Sequence, residues 1–188
     1  GPGGTVERVF RALTERVAEG TEVRRPLDFA QLCAVCGGGT PEGNAAVTQV
    51  VERYRRADTA FLVPGAERPL ADNPVIDISH ESLMRQWARL RGWVQAEVDA
   101  STELHDLVRE AQAQAQGEGE LRHGLDLVRA RTWQQRNQPN PAWLRLCLGG
   151  TVDEAATRLQ GIQAFLDAGT AAEQQFKRRN RLRSLGIR

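Results

Sequence analysis

Apolar residues recur at helical spacing from the start of the chain. Val6, Val9, Phe10, Leu13 and Val17 share one stripe, which predicts an amphipathic helix from residue 5 to about 18, stopped by Gly20. Residues 22–25 then supply a short extended piece. Asp28, with Gln31 three positions on, makes a capping box for a second helix carrying Leu32, Cys33 and Cys36, and Gly37, Gly38 and Gly39 end it. Thr40-Pro41-Glu42 combines a capping hydroxyl, proline at the first helical position and an acid in the first turn, which together start a third helix. Val47, Val50, Val51 and Tyr54 are its buried stripe.

Two short apolar runs come next, Phe61-Leu62-Val63 and Val75-Ile76-Asp77-Ile78, separated by Pro64, Gly65, Pro69, Asp72, Asn73 and Pro74. They read as a long-looped β-hairpin. Three helices and a hairpin in this order are a winged-helix arrangement, with helices two and three as the helix-turn-helix. Ser79 caps the next helix, whose apolar face is Leu83, Met84, Trp87, Leu90, Val94 and Val98 over about five turns. That helix is expected to couple the domain to the C-terminal half of the chain.

After Ser101 the pattern stays helical. Leu104, Leu107, Val108 and Ala111 belong to one segment and Leu121, Leu125, Val128 and Trp133 to another, with the low-complexity stretch 111–119 between them. Pro139 and Pro141 break the chain before Trp143 and Leu144. Thr151 and Glu154 form a capping box for a helix bearing Leu159, Ile162, Phe165 and Leu166. The last eighteen residues are a polar, basic helix or a frayed tail. The expected class is therefore mainly α, in four parts. Residues 1–3 are a tag remnant, since Gly1-Pro2 matches the scar of tag removal. Residues 4–100 are a winged-helix domain, 101–170 a helical extension and 171–188 a basic tail.

Composition narrows the chemistry. With 40% hydrophobic residues the chain buries a core, but no apolar run approaches the roughly 18 residues of a membrane span, so no membrane contact is expected. The only lysine, Lys177, lies between Phe176 and Arg178. A P-loop, which must end in Gly-Lys-Ser/Thr to reach terminal phosphates, is thus absent, as are a G-x-S-x-G elbow and an H-E-x-x-H helix. No catalytic residue is expected. Of the net charge of +1, the last eighteen residues hold +5 and the rest −4, unlike a nucleic-acid-binding domain with a basic face. Three cysteines without a secretion signal point to the cytoplasm. Cys33 and Cys36 have zinc-like spacing, but nothing completes a four-ligand set, so core packing is expected and no metal site.

The segment from Val75 to Trp93 reads Val-Ile-Asp-Ile-Ser-His-Glu-Ser-Leu-Met-Arg-Gln-Trp-Ala-Arg-Leu-Arg-Gly-Trp. It closely resembles the winged-helix end of bacterial STAND ATPases, the signal-transduction ATPases with numerous domains. There a short strand leads into a Ser/Ala-His-Glu-Ala-Leu helix that continues as Trp-x-x-Leu-x-x-Trp. Pro139-Asn140-Pro141-Ala142-Trp143 and the Arg-rich end are also similar to that family. The resemblance implies a non-catalytic regulatory fragment, whose partner is the nucleotide-binding domain of the same parent chain. It also implies ATP or ADP with magnesium as the parent's cofactor, none in this chain, and an activated parent that can homo-oligomerise in conflict, apoptosis-like or transcriptional signalling.

His80 stands at a helix start, where a positive macrodipole end and open N–H groups favour phosphate. An imidazole there can donate a hydrogen bond to the anion or instead pack on the hairpin. The resemblance implies the former: the matching histidine touches the β-phosphate of ADP and latches the closed state. Glu81 is expected to stabilise the helix start, Trp87 and Trp93 to pack, and His105 and His123 to have no site role. In the alternative reading, a DNA-binding winged helix, residues 41–56 would enter the major groove. Its cations Arg53, Arg55 and Arg56 cluster at the far end, leaving Glu42, Gly43, Asn44 and Gln49 as a poor recognition face. A scaffold that recruits partners through the helical part is a third possibility.

Overall fold

The structure is a computed structural model that describes residues 2–16 and 22–184. It is mostly helical with small antiparallel sheets, and it divides into two compact units, residues 1–101 and 102–188.

The first unit opens with α1 (Pro2–Ala12), followed by β1 (Thr14–Arg16) and β2 (Glu22–Arg24), which pair antiparallel with Thr14 opposite Arg24. The helix expected to reach residue 18 therefore ends at Ala12; Val17 and Gly20 lie outside the described residues. The reason is that the carbonyls of its last turn are taken by other groups. Thr14, fully buried, donates its hydroxyl to Phe10 and Arg11 carbonyls. Arg25 donates its Nε to the Ala12 carbonyl (2.9 Å) and its backbone N–H to Leu13 (2.8 Å). Carbonyls satisfied in this way no longer need another helical turn.

β3 (Leu27–Asp28) leads into α2 (Phe29–Gly37), where the Asp28 carboxylate accepts from the Gln31 N–H at 2.8 Å, and Gly38 closes the helix at φ 63°. Only glycine takes that left-handed conformation without cost. Thr40 caps α3 (Pro41–Tyr54) by accepting from the Gly43 N–H at 3.1 Å. The expected hairpin is present as β4 (Leu62–Val63) and β5 (Val75–Ile78), paired Leu62 to Ile78, and β5 also pairs with β3, giving the sheet order β3-β5-β4. Leu62, Ile76 and Ile78 enter a core with Phe10, Leu13, Leu32, Val47 and Val51.

The helix expected to run unbroken from Ser79 is two helices, α4 (Glu81–Gln86) and α5 (Ala88–Ala115), separated by Trp87 in extended conformation (φ −87°, ψ 99°). Trp87 is drawn into a ring cluster, with centroids 5.3 Å from Phe10, 5.3 Å from Phe61 and 5.4 Å from Trp93. Ring contacts from α1 and the hairpin thus outweigh one residue of helical geometry. α5 continues through Ser101 and into the low-complexity stretch, so two expected segments are one helix.

The second unit holds residues 102–115 of α5 with α6 (Gly124–Asn137), α7 (Pro141–Leu148) and α8 (Val152–Ser184). Leu104, Leu107, Leu144, Ile162 and Leu166 are its fully buried centre. α6 turns a different face inward from the one expected: Leu127 and Ala130 are buried, whereas Leu125 is 73% and Val128 58% exposed. α8 begins at a reciprocal capping box, with Thr151 N–H to Glu154 Oε2 (2.8 Å) and Glu154 N–H to Thr151 Oγ1 (3.2 Å). The Arg122 guanidinium ties α5 to the α5–α6 connection by donating to Glu110 (2.6 and 3.0 Å) and to Glu103. Gly169 permits the close approach beside it, since a Cβ there would lie 2.8 Å from the Arg122 carbonyl oxygen. The described part of the basic tail is helical and exposed from Gln174 to Leu182.

Candidate functional site

The candidate site is the turn from β5 into α4. Ile78 fills the core and Ser79 is held from two directions: its N–H donates to the Phe61 carbonyl (2.9 Å) and its hydroxyl to the Ala60 carbonyl (2.7 Å). Ala60 sits at φ 48°, a left-handed conformation rare for residues other than glycine, which turns its carbonyl within reach of Ser79. Arg24 adds a third hold, its Nη1 donating to Asp77 Oδ2 at 2.6 Å and to the Ile78 carbonyl at 2.9 Å. Asp77 also accepts the Ile78 N–H at 2.7 Å.

His80 lies directly after this anchored segment. It occupies the N-cap position of α4 with extended backbone (φ −140°, ψ 132°), and its carbonyl accepts the Leu83 N–H at 3.0 Å. Its side chain makes no cap hydrogen bond and is exposed. It does not fill the hairpin core. α4 is only six residues long, so its macrodipole is weaker than that of the five-turn helix expected from the sequence. What remains is an imidazole able to donate a hydrogen bond from a fixed backbone.

Trp87 and Trp93 are half-buried members of the ring cluster. His105 and His123 are exposed in the second unit, away from these residues in sequence. Cys33 and Cys36 are buried on α2. Burial pushes both thiols up, and for Cys36 the charge of Glu97 adds to it. Among the described residues no three His, Cys, Asp or Glu side chains are placed to hold a metal ion.

α3 presents Glu42, Ala45, Gln49 and Arg53 on its exposed side. Arg55, one of the cations a DNA reader would need, is only 3% exposed and is spent on the hairpin loop: it donates to the carbonyls of Gly65 (3.1 Å) and Arg68 (2.5 Å) and pairs with Glu52. Arg56 pairs with Asp58 at 3.3 Å. Among the described residues no helix is long and apolar enough to cross a membrane.

Arg24 is the site residue that the sequence pattern did not mark. Glu22-Val23-Arg24 reads as an ordinary surface strand, and its pairing with Asp77 joins positions 53 apart.

Residues 3–121, more than half of the chain, match the family model described as Novel STAND NTPase 1. No curated protein and no solved structure matches.

Proposed function

On the premise that the chain belongs to the novel STAND NTPase 1 family, we propose that it is a non-catalytic regulatory module of an ATP-dependent signalling switch. In this reading the first unit is a winged helix that packs on the nucleotide-binding domain of its own parent chain. The element order of the first unit, helix, three short strands, helix, helix, strand, strand, with β5 between β3 and β4 in one sheet and β1 and β2 paired apart from it, supports it. The second unit is a helical extension.

The observation that carries the reading is His80: exposed, uncommitted to capping, and set on a backbone held by Ser79 and Arg24. Such an imidazole donates to the β-phosphate of ADP in the closed state and leaves it when the switch opens. ATP or ADP with magnesium belongs to the parent's nucleotide domain, and this chain supplies no cofactor ligand besides His80. The activated parent homo-oligomerises in the cytoplasm.

The test is His80→Ala in the parent. A charge-assisted hydrogen bond made only in the closed state is worth about 1.5–3 kcal/mol. Losing it shifts the closed-to-open ratio by roughly tenfold to a hundredfold, so trigger-independent output and ADP release should both rise. The melting temperature of this 188-residue chain should barely move, because the side chain is exposed. Unchanged output and ADP release would remove the latch, and a large melting loss would make His80 structural.

A further inference from the structure

We propose that Arg24 is the positioning residue of the His80 site, holding the β5–α4 turn and neutralising Asp77. This rests on reading His80 as the contact to an anionic phosphate. β2, which carries Arg24, packs against α4, and a single guanidinium nitrogen reaches both the Asp77 carboxylate and the Ile78 carbonyl. It therefore restrains a side chain and a backbone atom within three residues of His80. The two contacts do different work. The bond to Ile78 fixes the direction in which the chain leaves the sheet, and so where the imidazole is carried. The bond to Asp77 cancels a negative charge that would otherwise oppose a phosphate approaching His80.

The pair is partly exposed, 38% for the Arg24 side chain and 18% for Asp77. Solvent-screened pairs of this kind contribute little to global stability, so a loss of Arg24 should be felt locally. Arginine suits the task because Nη1 carries two N–H groups in fixed directions in the guanidinium plane, one for the carboxylate and one for the carbonyl, whereas a lysine ammonium is a flexible point charge.

The experiment is amide hydrogen exchange on this chain in wild type, Arg24→Ala and Arg24→Lys, with ADP release measured on the parent carrying the same changes and Arg24→Ala/Asp77→Asn. Arg24→Ala should speed exchange of the Ser79 and Leu83 amides about tenfold while the melting temperature hardly changes. Arg24→Lys should restore part of the protection. In the parent, Arg24→Ala should raise ADP release as His80→Ala does, and adding Asp77→Asn should lower it again by removing the uncompensated charge. Unchanged exchange in Arg24→Ala, or a general loss of protection together with lower melting, would overturn the positioning role whatever His80 does. Faster local exchange with no change of ADP release in His80→Ala would instead overturn the phosphate reading beneath it.

Discussion

Arg11 on α1 and Glu97 on α5 form an ion pair, Nε to Oε2 3.0 Å, with side chains only 10% and 7% exposed. Arg11 also donates to the Ala96 carbonyl at 3.4 Å, and Arg25 reaches the second Glu97 oxygen at 3.5 Å. One carboxylate thus binds the first helix and the β2–β3 connection to α5. Removing it takes a close carboxylate from two buried cations, which keep longer contacts to Glu7 (3.4 Å from Arg11) and Glu15 (3.9 Å from Arg25), and breaking a buried pair costs about 3–5 kcal/mol. Glu97→Ala should lower the urea midpoint accordingly. Arg11→Met/Glu97→Leu should recover part of the loss, since it removes one of the two cations that face Glu97 and leaves Arg25 beside Glu15. A loss below about 1 kcal/mol in the single variant, the range of screened surface pairs, would contradict the account.

The cysteines give a pH prediction with a definite sign. Burial holds the Cys36 thiol above its ordinary 9.0, with Glu97 adding to the effect, and burial alone raises Cys33. The folded state then keeps protons that the unfolded chain releases, so stability is intact below about pH 9 and falls as pH rises beyond it, by up to about 1.4 kcal/mol per pH unit for each thiol. Unfolding curves between about pH 9 and 10.5 should be less steep in pH for Cys36→Ala than for wild type. With a thiol reagent at about pH 8, half-buried Cys147 should react in the native protein and Cys33 and Cys36 only on unfolding.

Arg55 should matter for stability and not for nucleic acid. Each charge-assisted hydrogen bond is worth about 1.5–3 kcal/mol, and the buried Arg55 side chain makes two to partly buried carbonyls, those of Gly65 and Arg68. Arg55→Ala should therefore destabilise the chain by about 3 kcal/mol and loosen the hairpin loop in amide exchange. Its DNA affinity should equal that of wild type under conditions where both are folded. A selective loss of DNA binding without loss of stability would favour the DNA-reading alternative.

Any DNA binding should be weak, indifferent to sequence and due to the tail. Residues 171–188 carry +5 against −4 for the rest, and from Gln174 to Leu182 every described side chain is exposed. Affinity of that origin comes from counterion release and falls steeply with salt. Deleting residues 177–188 should abolish it in a titration against two unrelated duplexes. Sequence-selective binding that survives the deletion would refute this.

Three helix starts were determined by the sequence alone, but not that of α4, where Ser79, expected as the cap, donates to the Ala60 carbonyl and His80 takes the N-cap position. Asp28 with Gln31, Thr40 with Gly43, and Thr151 with Glu154 bond as their spacing implies, because a cap needs only a side chain and an N–H three positions apart. The hairpin was equally local, two apolar runs parted by turn residues, and the same stretch held the family motif and pointed to His80. Helix ends, breaks and faces depended on partners far along the chain. α1 stops where Arg25 and Thr14 take its carbonyls, α4 parts from α5 where Phe10 and Phe61 claim Trp87, and α6 buries Leu127 rather than Leu125 within its own unit. Arg24 belongs to the same group. Nothing within several residues of it distinguishes it from a surface strand cation, and only folding brings it to Asp77, 53 positions away. Local hydrogen bonding and periodicity can be written in a short stretch of sequence, whereas a contact between distant residues exists only once the chain between them has folded.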